Sequence, residues 1–522
     1  MTRSIYTLII VVAVGAACGR ILCAQLVLEP GQHRDETEPP GKRLWPKKVP
    51  KPMPTFSSND RSRWATVRAL VENGTYVVGQ RDPAIYRASA IALVGQLDPM
   101  RAATVAHAGF QARVGSSTGM IFEDGYQSVD KVLHPETLAF YSSKPPLLAT
   151  LIAGLYWVLH TLLGWTLSTH PNAVVRTILI LVNVLPFALY LHLLAGWLER
   201  WSTEPWARLF VFVSAAFATL VSPFLITLSN HTLATFAVLF ALHAVVRIWE
   251  AKQSSDAWEL QRWPRGPQGY WFAIAGVSAS FAVTMEMPAL AFAGCVAALL
   301  LVWYPCGTLL LFVPAATVLA AVFFLTNYLA VGQWRPVQSE FEGADSWYQY
   351  EASHWRKPIE GEIRTGIDWA RQHETRAWYA FHVLLGHHGW FSLTPIWLLA
   401  LAGMVRGSLA LRAAYPWEPR GLPWFIPPMA LLVSAVVIGF YLLKTDNYGG
   451  FTVGLRWLMW LTPLWLVCMI PAADRLASSR AGRGFAYVLL AASIVSANYS
   501  LWNPWRHPWL YDFMMALGWP GY

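Results

Sequence analysis

Runs of about 20 apolar residues, the length a helix needs to cross a bilayer, recur along most of this chain. After an N-terminal run they fall near 145–165, 174–197, 208–224, 231–248, 270–285, 288–304, 306–330, 391–405, 423–443, 456–472 and 484–501. Hydrocarbon offers backbone groups no water, so spanning segments must be helices or closed barrels, and unbroken apolar runs select helices. The expected fold class is an all-α polytopic membrane protein. Composition agrees, with 55% of the 522 residues hydrophobic and 13% charged, where soluble domains carry about a quarter charged residues. The 28 tryptophans suit anchoring among membrane lipids. The net charge of +9 reads as arginine and lysine retained on the cytoplasmic side, so nucleic acid is not an expected partner.

The N-terminus, MTRSIYTLIIVVAVGAACGRILCAQLVL, runs from charge to apolar residues. It is too long for a cleaved signal and lacks a small-x-small site, so residues 1–28 are expected to be an uncleaved signal-anchor span. Basic segments at 199–208, 247–265, 406–420 and 474–483 should be cytoplasmic. The loops at 225–230, 285–288, 331–390 and 444–455 are then external. That parity leaves the run in YSSKPPLLATLIAG (141–154) beginning and ending on one face. We therefore expect a re-entrant or juxtamembrane helix there, with Pro145 and Pro146 in its first turn; a miscounted run elsewhere is the alternative. The count becomes about 11 transmembrane helices plus that helix. The expected division is a first external loop at 29–144, a transmembrane module at 145–330, a second external loop at 331–390 and C-terminal helices at 391–522.

This topology gathers Asp60, Lys144, Asn230, His231, Glu286, His387, His388 and Arg456 at the external membrane face, where so few charges suggest a site. The first loop opens with a Pro- and Lys-rich linker unsuited to compact folding. It continues SSNDRSRWATVRALVENGTY, whose Trp64, Val67, Leu70 and Val71 recur at helical spacing. Asn59 or Asp60 is available as N-cap and Asn73-Gly74 as a stop; Asp60 is equally placed to cap or to react. In VTMEMPAL, Glu286 joins two minimal spans and needs a partner or an aqueous cavity. In NYGGFTVGLRW, Arg456 is either an interfacial anchor or a phosphate clamp. The pair His387-His388 suits a polar loop or, with further ligands, a metal. The five cysteines lie in or beside apolar runs without metal spacing and read as small core residues.

Together these segments resemble the GT-C superfamily of integral membrane glycosyltransferases, and more narrowly glycosyltransferase family 39 with the protein O-mannosyltransferases and the lipid A aminoarabinose transferase. The resemblance rests on NDRSRWATVRALVENGTY and YSSKPPLLATL in that order, and more weakly on SPFLITLSNHTLATF, TMEMPAL and GGFTVGLRW. It covers most of residues 55–475. It implies a GT-C fold with two large external loops, and a polyprenyl-phosphate-linked sugar as donor for a protein, glycolipid or polysaccharide acceptor. The setting it implies is the external, periplasmic face of a bacterial inner membrane. By the same resemblance Asp60 is the catalytic carboxylate and Lys144 binds the lipid phosphate. Arg456 would assist Lys144, the transfer would invert the anomeric carbon, and Tyr141, Arg63, Asn230, His231, Glu286, His387 and His388 complete the expected substrate-binding set. Relatives often carry two acids at the first motif. Asn59-Asp60-Arg61 carries one, and Asn230-His231 stands where some relatives place another acid. No cofactor is implied firmly, no metal ligand is assigned, and a divalent metal stays open.

Two other classes remain. A transporter or flippase of lipid-linked solute would want polar residues near the midplane, where Asn183, His192 and His243 are the candidates. A non-catalytic scaffold binding lipid-linked sugar would fit the missing second acid.

Overall fold

The computed structural model of the chain describes residues 2–25, 52–81, 117–253, 269–339, 341, 346–350, 353–358, 364, 366–410, 421–445 and 447–519. The linker up to residue 51 and the basic segments 254–268 and 411–420 lie outside the described residues.

Among the described residues, 8 helices are long and apolar enough to cross a membrane: Ser4–Cys23, Pro146–Leu163, Pro171–Trp201, Pro205–Phe224, Asn230–Ala251, Pro305–Val331, Ile426–Lys444 and Arg456–Ala477. Gly269–Met285, Met287–Trp303 and Trp397–Leu409 are apolar but shorter. Large apolar side chains stand exposed along them, among them Leu162, Val302, Val318 and Leu443, a surface suited to lipid and costly in water. The protein is an integral, multi-pass, all-helical membrane protein. The helix after Lys144 meets the length and apolarity of a span as well as those of a juxtamembrane helix, and it starts at Pro146 as the tolerance of proline in a first turn requires.

The chain forms two compact units whose boundaries do not follow chain order. The helical unit comprises Met1–Cys23, Leu179–Ala321 and Ile363–Tyr522; the loop unit comprises Ala24–Ile178 and Val322–Glu362.

In the helical unit, small residues let helices approach closely. A Cβ on Gly403 would meet the Cys468 carbonyl oxygen at 1.8 Å, and one on Gly276 would meet the Phe312 carbonyl oxygen at 2.3 Å. The first helix, α1 (Thr2–Cys23), packs here, with Tyr6 edge-on to Phe212 at 4.7 Å. All five cysteines carry free thiols, and only Cys468 is buried. Cys23 and Cys306 are exposed, so the core role expected of the set holds at one position.

In the loop unit, α2 (Ser58–Asn73) and α3 (Pro146–Leu163) pack together beside a three-stranded antiparallel sheet. Its strands β1 (Gly79–Gln80), β2 (Lys131–Leu133) and β3 (Ala139–Ser142) lie in the order β1-β3-β2. Tyr141 faces Val132 across the pair, and Phe140 faces both Gly79 and Leu133. Residues after the helix ending at Val331 complete this unit: Val337, Trp347 and Tyr348 bury a cluster with Val132, and Tyr141, Val331 and Trp355 pack on it.

Candidate functional site

Helix α2 departs from its expected form at its start. The N-cap is Ser57, whose hydroxyl accepts the Asp60 N–H at 3.3 Å, so neither Asn59 nor Asp60 caps it. Gly74 ends the helix at φ 66°, the left-handed turn that favours glycine. The apolar stripe predicts one buried face, yet Asn59 through Val67 are buried all round. Several of the buried polar side chains have partners. The Ser62 hydroxyl donates to the Asp130 carbonyl at 2.5 Å and Thr66 donates to the Ser62 carbonyl at 3.1 Å. Arg63 donates to the side chain and, at 3.1 Å, to the carbonyl of Asn59.

Asp60 is fully buried. Its Oδ2 accepts the Phe56 N–H at 2.9 Å and its Oδ1 accepts the Trp64 indole N–H at 3.0 Å. Both oxygens thus clasp the chain entering α2 to the helix itself.

Lys144 stands where β3 gives way to α3. Its ammonium donates to Asp130 Oδ1 at 2.8 Å, and its N–H donates to Ser142 Oγ at 3.1 Å. A cleft opens over this point, lined among others by Arg63, Thr66, Tyr141, Lys144, Asn327 and Gln338. Gln338 donates to the Ser143 carbonyl at 2.6 Å, so the segment after Val331 forms one wall. Two cations with hydroxyl, phenol and amide groups in one cleft at the start of a proline-started helix offer the chemistry that an anion would need. Asp130 tempers it: Lys144 takes its carboxylate, whereas neighbouring Lys131 donates to the Ser128 carbonyl at 2.6 Å. Burial lowers the Lys131 pKa to about 8, the Asp130 charge opposing that fall. Burial also raises the Tyr141 phenol above its ordinary value. Sequence reasoning singled out Arg63, Tyr141 and Lys144, and the fold brings these three to one cleft. It missed Asp130 and Gln338, which carry no local signal.

The other expected residues belong to the helical unit. The Asn230 amide donates to the Met285 carbonyl at 2.9 Å and to Glu286 Oε1. His231 Nδ1 makes an ion-pair contact with that same oxygen. Glu286, 7% exposed, therefore has the partners that a carboxylate at a membrane edge requires. Arg456 lies with its guanidinium 4.6 Å over the Trp505 ring, a cation–π contact on a residue that sequence reasoning passed over. Asn183 donates to the carbonyls of Leu225 and Thr227 at 2.8 and 3.0 Å, and His243 stacks on Trp197 and meets Trp271 edge-to-face. His192 is exposed.

His387 and His388 enter a buried ring cluster. His382 stacks on His387 at 4.0 Å between centroids, and Tyr448 stacks on His388 at 5.1 Å. His507 stacks on Tyr511 at 4.0 Å. The Tyr448 hydroxyl donates to Glu374 Oε2, and Glu374 Oε1 lies 3.9 Å from His382 Nε2. Burial lowers the His382 pKa to about 4 and holds His387, His388 and His507 below the usual range. Gly386 makes the cluster possible, since a Cβ there would meet His382 Nδ1 at 2.2 Å.

No protein-family model and no curated protein matches the chain. Among solved structures it is similar to the Archaeoglobus fulgidus oligosaccharyltransferase in its apo form, at 13% identity and TM-score 0.45. It is likewise similar to AglB of the same organism in complex with an inhibitory peptide and a dolichol-phosphate, at 12% identity and TM-score 0.43. Each comparison covers 98% of this chain and 57% of the other, so the chain spans little more than half of those neighbours. The likeness is one of fold alone.

Proposed function

We propose that this protein transfers a sugar from a polyprenyl-phosphate-linked donor to an acceptor at the external face of a bacterial inner membrane. The observation that carries the proposal is the cleft uniting Lys144 and Arg63 at the start of the apolar helix α3. A lipid phosphate keeps its chain in the bilayer and its charge at headgroup depth, which is where a lysine preceding a membrane helix can meet it. On arrival the phosphate competes with Asp130 for the Lys144 ammonium. Lys144 and Arg63 then neutralise the charge that grows on the departing phosphate as the anomeric carbon inverts.

The resemblance points to Asp60 as base, and it remains the family-derived choice. The geometry supports Asp130 better for contact with substrate. Asp130 already touches Lys144 beside the cleft, whereas both Asp60 oxygens accept internal donors. A base must come within hydrogen-bond reach of the proton that it takes. A protein in complex with a peptide and a dolichol-phosphate is among the similar folds; which acceptor serves this chain is for experiment.

The test reconstitutes purified protein with a panel of radiolabelled polyprenyl-phosphate sugars and follows binding and release of polyprenyl phosphate. Release by wild type, abolished in Asp130→Asn with binding retained, supports the reading. Release lost in Asp60→Asn alone, at unchanged thermal stability, returns the base to Asp60. Binding without release under every acceptor condition supports a scaffold, and transport of donor without release supports a flippase.

A further inference from the structure

Glu374, His382 and His387 each present one donor atom, and these atoms lie within 4.8 Å of one another. The cluster belongs to the helical unit and takes no part in the reading above. His387 is fully buried, His382 is 2% exposed, and the Glu374 side chain is 8% exposed. Burying a carboxylate is costly unless partners offset its charge.

Three further observations point to a ligand. His382 Nδ1 and His388 Nε2 are buried without a hydrogen-bond partner among the described residues. The Nδ1 atoms of His387 and His388 face one another at contact distance; one proton joins them, and the ring that donates it keeps a lone pair on its Nε2, the form that ligates a metal. The Tyr448 hydroxyl donates to Glu374, the outer contact that commonly orients a ligating carboxylate.

We propose that Glu374, His382 and His387 bind a divalent ion of the zinc class, with His388 or a water completing the set. Two imidazoles and one carboxylate in a buried pocket suit a borderline ion, whereas calcium and magnesium ask for oxygen ligands. Around tetrahedral zinc, ligand atoms stand about 3.3 Å apart. Donors within 4.8 Å of one another therefore need to close by at most about 1.5 Å, a side-chain adjustment. The ion is structural. It would join the turn carrying Glu374, the helix Arg376–Leu384 and the His387-His388 turn, which Tyr448 and the Tyr379 hydroxyl, donating to the Asn447 carbonyl at 2.9 Å, connect to the 447–455 loop.

The test measures metal in full-length protein purified without a polyhistidine tag from zinc-supplemented cells. Wild type should carry about one equivalent of zinc, and His382→Ala/His387→Ala should lose nearly all of it. His170→Ala, removing an exposed histidine of the loop unit, should keep it. Should the double variant fail to fold, chelator-stripped wild type is titrated with cobalt instead. A tight site with the d–d bands of tetrahedral nitrogen and oxygen ligation, altered in Glu374→Gln, supports the proposal. Metal retained by the double variant overturns it, as does wild type that holds no zinc and takes up no cobalt. Neither readout depends on sugar transfer, so this inference and the proposed function fail separately.

Discussion

The loop unit and the helical unit each hold a constellation of unusual polar residues, and they treat charge in opposite ways. In the loop unit, Lys144 and Arg63 line an open cleft. In the helical unit, Glu286 is enclosed by Asn230 and His231, while His382, His387 and His388 are buried with lowered pKa values around Glu374. A cation kept at an opening, with a counter-ion that can be exchanged, suits a ligand that comes and goes. Carboxylates sealed among fixed partners suit a part that stays in place, because breaking a buried network leaves unsatisfied charge. Rarity of charge in a membrane protein therefore marks importance without saying whether the role is recognition or architecture.

The strongest challenge to this contrast is Lys144→Ala. A charge-assisted contact contributes about 1.5–3 kcal/mol, so polyprenyl phosphate should bind about 10- to 100-fold more weakly to the variant. Thermal stability should change far less, since Lys144 lies at the cleft. Equilibrium binding to detergent-solubilised protein measures the first and a melting curve the second. Undiminished affinity would make Lys144–Asp130 an architectural pair like those of the helical unit.

Next in size is Asp60→Asn. The carboxylate accepts the Phe56 N–H and the Trp64 indole, and an amide can keep only one of these bonds. Destabilisation of about 1–3 kcal/mol follows, visible as a lower melting temperature with donor binding intact. The same variant with an unchanged melting temperature but no transfer would move Asp60 from the architectural class to the reactive one.

These two residues also show how far the sequence could be read. Apolar runs of span length revealed the all-helical membrane fold, because the constraint of hydrocarbon on the backbone leaves few options. Lys144, Tyr141 and Arg63 were legible from KPPL and the short helix before it, and they share a cleft. The helix itself was misread as one-sided. Periodicity detects where apolar side chains fall and is blind to polar ones that find partners from distant strands, as Ser62 does with Asp130. Asp130 was invisible for the same reason: its pairing with Lys144 arises from strand register. His387 and His388 stood out as neighbours, but Glu374 and His382 join them only through the turn that Gly386 permits.

Glu286→Gln probes the helical unit at smaller amplitude. Asn230 can still donate to the amide oxygen, whereas the contact with His231 loses its charge. A fall in stability of about 1 kcal/mol with polyprenyl-phosphate binding unchanged is expected. Binding lost in a variant that melts like wild type would show that the helical unit also faces substrate, and the division drawn above would have to be redrawn.

The smallest effect belongs to Lys131, which shares a strand with the cleft's register but not its opening. Burial lowers its pKa to about 8 in the folded chain from the ordinary value of 10.5, with Asp130 opposing. Between those values the unfolded chain binds more protons than the folded one, so this group makes stability rise with pH from about 8 to 10.5. Below that window both states carry the charge, and the folded state bears its full desolvation cost. Lys131→Met removes the titration, and the melting-temperature difference between variant and wild type should shrink as pH climbs through the window. A constant difference would mean that water reaches the ammonium on β2. The loop unit would then be open on that strand too, extending the exchangeable character of the cleft beyond Lys144.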